Sequence, residues 1–120
     1  MKKILVVDDE SPLRMLIRAT LEDDEFEIFE AEDGIAGLEQ ACANLPDLII
    51  LDMMMPGLTG LEVCRKLKQD PRTAHIKILL LTAKGQQRDK EAALAAGADY
   101  FIAKPFSPSG LITFINKVFG

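Results

Sequence analysis

Tryptophan is absent from this sequence, tyrosine and histidine occur once each, and there are only two cysteines. Cys42 and Cys64 fall at apolar positions of predicted helices and lack the spacing of a metal site, so the sequence predicts two reduced core cysteines. His75 follows QDPRTA in a predicted loop, where we expect an exposed side chain. Cysteine and histidine therefore indicate neither a metal site nor a nucleophile.

Long apolar runs are also missing, and none approaches the roughly 20 residues that a membrane-crossing helix needs. The short ILVV segment near the N-terminus is soon followed by acids, which does not fit a signal peptide. The net charge of -5 argues against a broad nucleic-acid-binding surface. With 120 residues, 48% apolar and 28% charged, we expect one globular cytoplasmic domain over residues 1–120, without a membrane or direct nucleic-acid partner.

Five short runs rich in isoleucine, leucine and valine alternate with segments of helical periodicity. The runs are Lys3–Val7, Glu27–Ala31, Asp47–Leu51, Lys77–Leu81 and Tyr100–Ala103. The first, third and fourth are almost continuously apolar, as strands covered on both faces are. The sequence therefore predicts an α/β fold with a (βα)5 doubly wound parallel sheet. This alternation leaves a few strand orders, of which the flavodoxin-like order 2-1-3-4-5 is the common one for five strands, and functional residues should then gather at the carboxyl ends of the strands.

Capping residues and apolar stripes predict the helices. We expect capping residues at Ser11, Asp33, Thr59 with Glu62 in a capping box, Gly97 and Ser107. The predicted inward-facing residues are Leu13, Leu16, Ile17 and Leu21 in the first helix, Leu38, Cys42 and Leu45 in the second, Leu61, Cys64 and Leu67 in the third, and Leu111, Ile115 and Val118 in the last. The run of three methionines after Asp52 is expected to pack and anchor its loop.

The predicted strand ends carry polar side chains. Strand 1 leads to Asp8 and Asp9, strand 3 to Asp52, strand 4 to Thr82 and strand 5 to Lys104. Two unit charges about 4 Å apart repel by about 4 kcal/mol at an effective dielectric constant of about 20, so three carboxylates at one edge need a cation. Carboxylate oxygens favour Mg²⁺, and a lysine with a hydroxyl suits a phosphoryl group formed on one of the acids.

These motifs resemble the receiver domain of two-component response regulators, including the chemotaxis regulators. The matching features are VVDDE around Asp8 and Asp9, the D-x-x-M-P-G motif that starts at Asp52, a small residue after Thr82, and KPF from Lys104. The resemblance extends from the first strand to the last helix. It implies a phosphoacceptor domain of phosphorelay signal transduction that switches conformation and signals to a downstream partner.

The resemblance implies a role for each matching residue. Asp52 would accept the phosphoryl group from a histidine kinase or phosphotransfer protein, in a Mg²⁺-dependent reaction. Asp9, Asp52 and the backbone carbonyl of Met54 would bind Mg²⁺ directly, and Asp8 would bind it through water. Lys104 would pair with the phosphoryl group. The reaction would consist mostly of positioning and charge neutralisation.

The resemblance also implies a conformational switch. Thr82 would hydrogen-bond the phosphoryl group, and Phe101 would turn inward as the switch aromatic. Lys104–Pro105 would be a cis peptide. Such a domain is not an enzyme with an external substrate, although it promotes its own phosphorylation and dephosphorylation. Met54 and Lys84 occupy positions that vary in the family and influence phosphoryl lifetime, which therefore stays open.

Alternative functions remain open at this point. A flavodoxin-type electron carrier would share the topology, but it needs a hydroxyl-rich and glycine-rich phosphate loop after strand 1 and aromatic stacking around the flavin. An aspartate-based phosphatase of the haloacid dehalogenase type would need a second acid where Met54 stands. The chain reads as a stand-alone receiver, but a receiver excised from a hybrid kinase or from a multidomain regulator would look the same.

The expected output surface is the face of helix 4, strand 5 and helix 5. Transcription-factor receivers of the winged-helix class commonly place an aspartate where Tyr100 stands, and Lys117 is the only charged residue of the segment GLITFINKVFG. Tyr100 and Phe114, with Phe119 as a further candidate, suggest aromatic anchors for a different protein. We therefore expect a monomer in the absence of phosphorylation and a downstream target protein at this face.

Overall fold

The structure is a computed structural model that describes residues 1–22, 25–83 and 87–119. Within these residues the strands are β1 Lys2–Val7, β2 Phe26–Ala31, β3 Leu48–Asp52, β4 Lys77–Ala83 and β5 Tyr100–Lys104. The helices are α1 Ser11–Leu21, α2 Gly34–Asn44, α3 Gly60–Gln69, α4 Gln87–Ala95 and α5 Pro108–Phe119. Each predicted strand is confirmed, with ends that differ by one or two residues.

The strands form one sheet in the order β2-β1-β3-β4-β5, and all neighbouring strands are parallel. The predicted flavodoxin-like (βα)5 topology is therefore confirmed. The register places Val7 opposite Leu51 and Asp52 opposite Leu81. Because these strands run in the same direction, the carboxyl ends of β1, β3, β4 and β5 lie at one edge of the sheet.

The apolar side chains of the central strands alternate between two cores. Ile4 and Val6 pack with α1 and α5 on what we call the α1/α5 face, whereas Leu5 and Val7 pack with α2, α3 and α4 on the α2–α4 face. β3 and β4 alternate in the same way. Complete burial of a leucine or isoleucine side chain contributes about 1.5–3 kcal/mol, so these strands anchor both layers.

Helix α1 differs from its prediction at two positions. The helix begins at Ser11 and its N-cap is Glu10, because the Glu10 carbonyl accepts hydrogen bonds from the backbone N–H groups of Leu13 and Arg14. The predicted Ser11 cap is therefore wrong. Leu16 is also wrong as an inward-facing residue, since it is 44% exposed, whereas Ile17 and Leu21 are buried.

Helix α2 buries a different face from the predicted one. Its buried residues are Gly34, Gly37 and Ala41, while Cys42 and Leu45 are exposed. The reason is a close approach to β1, since a Cβ atom on Gly37 would lie 3.0 Å from a methyl carbon of Val7. The small residues therefore turn inward and the larger ones outward, and the prediction of Cys42 as a core residue is wrong.

The other helix signals are largely confirmed. Asp33 accepts a hydrogen bond from the N–H of Ala36, Thr59 and Glu62 form a capping box, and Ser107 Oγ accepts from the N–H of Gly110 at 3.0 Å. Gly97 has the predicted left-handed conformation, with φ of +93°. Of the predicted inward-facing residues, Cys64, Leu67, Leu111 and Ile115 are buried, whereas Leu38, Leu61 and Val118 are half-buried; Val63 is also buried, although it was not predicted. Burial raises the pKa of the Cys64 thiol to about 11.

One loop prediction is confirmed, and a second is confirmed for two of its three residues. His75 is exposed, and Met53 and Met55 are buried while Met54 between them is 72% exposed. In the three described segments of the chain, no helix is both long enough and apolar enough to cross a bilayer.

Gly60 lies where α3 approaches the end of β3. A Cβ atom on Gly60 would overlap the carbonyl oxygen of Asp52 and lie 2.8 Å from Met53 Cα. We expect Gly60→Ala to lower the free energy of unfolding by about 2–3 kcal/mol, measured by urea unfolding, because backbone atoms cannot yield as a flexible side chain would. Gly57 is the control, since its φ is +77° but its surroundings are open, and Gly57→Ala should cost about 1 kcal/mol. A Gly60→Ala cost no larger than that of the control would contradict this packing.

Candidate functional site

The predicted site residues meet at the carboxyl edge of the sheet. Asp8 directly follows β1, Asp52 ends β3, Thr82 lies near the end of β4 and Lys104 ends β5. By the alternation of strand side chains, Asp8, Asp52 and Lys104 continue the rows that point to the α1/α5 face. Three strands thereby place these charged groups on the same side of the sheet.

The ammonium group of Lys104 bridges two carboxylates. Its Nζ lies 3.0 Å from Asp52 Oδ1 and 3.4 Å from Asp8 Oδ2. Asp8 is fully buried and Asp52 is 4% exposed, so their charges receive little help from solvent. The lysine therefore supplies a positive charge that both acids require.

The acids after β1 form a second feature of the site. The carboxylate groups of Asp8, Asp9 and Glu10 each offer an oxygen, and these oxygens lie within 4.8 Å of one another. Asp8 is buried, whereas Asp9 and Glu10 are exposed. Both oxygens of Asp8 are engaged, because Oδ1 accepts a hydrogen bond of 2.8 Å from the N–H of Glu10 and Oδ2 faces Lys104. The carboxylate oxygens of the cluster that face solvent therefore belong mainly to Asp9 and Glu10.

The surroundings of the site favour the charged form of Lys104 and disfavour the ionised form of Asp52. Burial raises the pKa of Asp52 above its ordinary value and the charge of Asp8 adds to this, although Lys104 opposes the rise. Burial by itself would lower the pKa of Lys104, but hydrogen bonds to Asp52 and Asp8, together with their charges, raise it above its ordinary value. At neutral pH the ammonium group is protonated.

Thr82 and Phe101 occupy the α2–α4 side of the same edge. The Thr82 hydroxyl is buried and donates a hydrogen bond of 3.4 Å to the carbonyl of Ile102. Phe101 is half-buried, and the Nζ of Lys90 in α4 lies 5.8 Å from its ring centroid. The Lys104–Pro105 peptide is cis, as predicted. In this arrangement Thr82 is bonded to β5, not to Asp52.

A cavity of about 550 Å³ opens above the two central site residues, Asp52 and Lys104. Glu10 and Thr82 also line it, and its apolar wall consists of Leu13, Leu16, Met53, Met54, Leu81, Pro105 and Phe106. Leu16 and Met54 are exposed at its rim, which explains why Leu16 turns away from the core. The cavity is large enough to admit a phosphate-sized group to the Asp52 carboxylate.

The aromatic residues predicted for the output face lie in two places. Tyr100 and Phe114 are half-buried and contact each other edge to face, with ring centroids 5.3 Å apart. Phe119 instead packs against Phe26 of β2, with a centroid distance of 5.9 Å. Because β2 and β5 are opposite edges of the sheet, Phe119 does not belong to the surface around Tyr100, and its inclusion there is wrong.

Comparison with known proteins agrees with the motifs of the sequence. The family model of the response regulator receiver domain matches residues 4–116. This chain belongs to the response regulator receiver domain family. It is accordingly a signalling domain of two-component systems.

The curated relatives include longer regulators. The phosphate regulon transcriptional regulatory protein PhoB of Pseudomonas aeruginosa is 44% identical over 117 residues, which cover 98% of this chain and 51% of PhoB. The alkaline phosphatase synthesis transcriptional regulatory protein PhoP of Bacillus subtilis is 46% identical over 107 residues, 89% of this chain and 44% of PhoP. The chain thus spans about half the length of the curated relatives it matches.

Solved structures share the fold over nearly the full chain. The chemotaxis protein CheY4 of Vibrio cholerae matches with a TM-score of 0.91 and 33% identity, covering 98% of both chains. A signal receiver domain of a signal transduction histidine kinase from Syntrophus aciditrophicus matches with a TM-score of 0.89 and 30% identity, covering 98% of this chain and 89% of that one.

One acid of the cluster was not predicted as a site residue. Glu10 received no predicted role, although its position directly after Asp8 and Asp9 was the available signal. Of the two positions expected to influence phosphoryl lifetime, Met54 lies exposed at the cavity rim, and Lys84 lies outside the described residues.

The raised pKa of Asp52 leads to a prediction about stability in metal-free buffer. Asp52→Asn should raise the free energy of unfolding at pH 7, because the folded state holds this carboxylate at a cost that the unfolded chain avoids. Since the folded pKa is raised, the gain should shrink as the pH falls and vanish below about 4, where both states are protonated. Urea unfolding across this pH range measures the effect.

Asp9→Asn is the matched control, because Asp9 is exposed. Its substitution should change the stability less than that of Asp52. A loss of stability in Asp52→Asn at neutral pH would show that attraction to Lys104 outweighs burial.

Proposed function

We propose that this domain accepts a phosphoryl group on Asp52 from the phosphohistidine of a histidine kinase or phosphotransfer protein. The observation that carries the proposal is the 3.0 Å contact between Lys104 Nζ and the Asp52 carboxylate below an open cavity. The domain turns over no external substrate, but its residues promote its own phosphorylation and dephosphorylation.

The proposed reaction follows from the charges of the site. An oxygen of Asp52 attacks phosphorus, a P–O bond forms, and the P–N bond to the donor imidazole breaks with its electron pair leaving on nitrogen. Lys104 is held beside Asp52 and offers its charge to the phosphoryl oxygens. Since the ammonium is already in place, stabilisation of the developing charge requires little reorganisation.

The acids fit a bound Mg²⁺, because hard oxygen ligands with room for several waters are what this ion prefers. We assign direct binding to Asp9, Asp52 and the backbone carbonyl of Met54, and contact through water to Asp8. Asp9 is exposed, while both oxygens of Asp8 already have partners, which supports this division. When bound, Mg²⁺ would neutralise charge on the acids and on the phosphoryl oxygens.

The response to phosphorylation involves Thr82 and Phe101. The hydrogen bond from the Thr82 hydroxyl to the carbonyl of Ile102 is long, at 3.4 Å. A phosphoryl group on Asp52 offers this hydroxyl an anionic acceptor in its place. As Thr82 moves, Phe101 turns inward from its half-buried position beside Lys90. The change then reaches the surface of α4, β5 and α5.

We place the downstream target protein at this surface. The Tyr100 and Phe114 pair is half-buried there, and Leu94 of α4 is 59% exposed, so an apolar partner has side chains to contact. The proposed setting is cytoplasmic, and the unphosphorylated domain is a monomer.

A second candidate is control of an attached output domain. The observation that favours it is the length of the curated relatives, transcriptional regulators of which this chain matches about half. The receiver of a histidine kinase among the solved structures supports a hybrid kinase in the same way. The boundaries of the full-length gene distinguish these possibilities.

Phosphorylation of Asp52 is the central prediction. With Mg²⁺ and acetyl phosphate, intact-protein mass spectrometry should detect one phosphoryl group per chain, and chelation of the metal should abolish it. Asp52→Asn should gain none, while Glu39→Gln, which alters an exposed acid of α2, should behave as wild type. Full modification of Asp52→Asn would refute the assignment.

Measurements of Mg²⁺ affinity should distinguish the role of Asp9 from that of Asp8. Asp9→Ala should weaken Mg²⁺ binding by about 10-fold or more, and Asp8→Ala by less, because a direct ligand contributes more than a contact through water. Lys104→Ala should leave Mg²⁺ binding nearly intact but weaken the response to phosphorylation. Calorimetric titration provides the affinities, and equal losses for Asp9 and Asp8 would refute the division.

The oligomeric state tests the output surface. Light scattering over a range of concentrations should report a monomer without beryllofluoride, which mimics the phosphoryl group, and no strong dimer with it. The reason is that the last helix has a single charged residue, Lys117, for a salt-bridged interface. A tight, salt-sensitive dimer that forms only on activation would contradict the prediction.

A further inference from the structure

We propose that Arg14 of α1 is a positioning residue that holds the acidic cluster in its metal-binding geometry by fixing the peptide group between Asp8 and Asp9. The inference rests on the proposed magnesium site. In this proposal Arg14 touches neither the phosphoryl group nor the metal. It acts through the backbone carbonyl of Asp8.

The guanidinium group of Arg14 joins two elements. Nη1 donates a hydrogen bond of 2.6 Å to the backbone carbonyl of Asp8, and Nε lies 3.2 Å from Glu30 Oε1 at the end of β2. The side chain is only 15% exposed. A short, charge-assisted and largely buried hydrogen bond restrains its acceptor more than an exposed one does.

The other polar groups of Asp8 are also fixed. Its N–H donates to the carbonyl of Ala31 at 3.2 Å, and its Oδ1 accepts from the N–H of Glu10. Because a peptide group is planar, a restraint on the Asp8 carbonyl also sets the N–H and Cα of Asp9. Arg14 thereby determines the direction in which the chain leaves the sheet and presents the Asp9 side chain.

Glu30 holds the arginine and balances its charge. The second oxygen of Glu30 lies 2.6 Å from Nε of Arg18, and Nη2 of Arg18 donates a hydrogen bond of 3.1 Å to the carbonyl of Ile28. The negative charge of Glu30 is thus shared by two arginines one helical turn apart. Because Arg14 contacts a carbonyl and Glu30, not a carboxylate of the cluster, it orders the acids without serving as their counterion.

Arginine suits this role better than lysine. The planar guanidinium directs separate N–H groups at the Asp8 carbonyl and at Glu30, whereas an ammonium group is a compact charge without this fork. Arg18 provides a matched comparison, since it binds the same Glu30 but reaches Ile28 instead of Asp8.

The test compares Arg14→Ala and Arg14→Lys with Arg18→Ala. In the metal-free protein, hydrogen exchange at the Glu10 amide should accelerate about 10-fold in Arg14→Ala and nearly as much in Arg14→Lys, because this amide reports local opening at Asp8. Arg18→Ala should change this exchange less than about two-fold, although it also loses an ion pair with Glu30. Global stability from urea unfolding should fall by similar amounts in both alanine variants.

The metal measurements complete the test. The Mg²⁺ dissociation constant should rise about 10-fold in Arg14→Ala and less than three-fold in Arg18→Ala, as roughly expected for loss of a group that orients ligands. At saturating Mg²⁺ the rate of phosphorylation by acetyl phosphate should return to within about two-fold of wild type, because the residue acts on binding and not on the chemical step.

Equal acceleration of Glu10 exchange in Arg14→Ala and Arg18→Ala would overturn the positioning role. So would an Arg14→Ala phosphorylation rate that stays low at saturating Mg²⁺. Failure of the wild-type protein to bind Mg²⁺ would overturn the proposed magnesium site alone, since the exchange measurements use metal-free protein.

Discussion

One ammonium group between two buried carboxylates determines the arrangement of the site. Lys104 ends β5, Asp52 ends β3 and Asp8 follows β1, so no two of these residues are close in sequence. The strand order that separates β3 from β5 by a single strand makes the 3.0 Å and 3.4 Å contacts possible. Removal of the Lys104 charge would leave both carboxylates buried without compensation, which is strongly unfavourable. The fold and the site therefore depend on each other.

Much of this arrangement could be predicted from the sequence. Apolar runs without polar interruption predicted the buried parallel strands, and the β-α alternation left a few strand orders, of which the common one is observed. Once strand ends were known, the charged residues directly after them had to meet at one edge, and the sequence motifs identified the family. Capping signals such as those of Asp33 and Thr59 succeeded because they depend on neighbouring residues alone.

The predictions that failed depend on distances between elements. The inward face of α2 was predicted from an apolar stripe, but the close approach of Gly37 to Val7 turned Cys42 outward. Leu16 belongs to a helical stripe, yet it lines the cavity above Asp52 because the site interrupts the core there. The hydrogen bond from Arg14 to the Asp8 carbonyl likewise has no sequence signal, since a backbone acceptor is available at every residue.

The alternation of strand side chains has a consequence for how the domain transmits a signal. Asp8, Asp52 and Lys104 lie in rows that point to the α1/α5 face, whereas Thr82 and Phe101 lie in rows that point to the α2–α4 face. The sheet thus separates the row of charged residues from the row that holds Thr82 and Phe101. The two rows meet at the carboxyl edge of the sheet, where Asp52 and Thr82 line the same cavity.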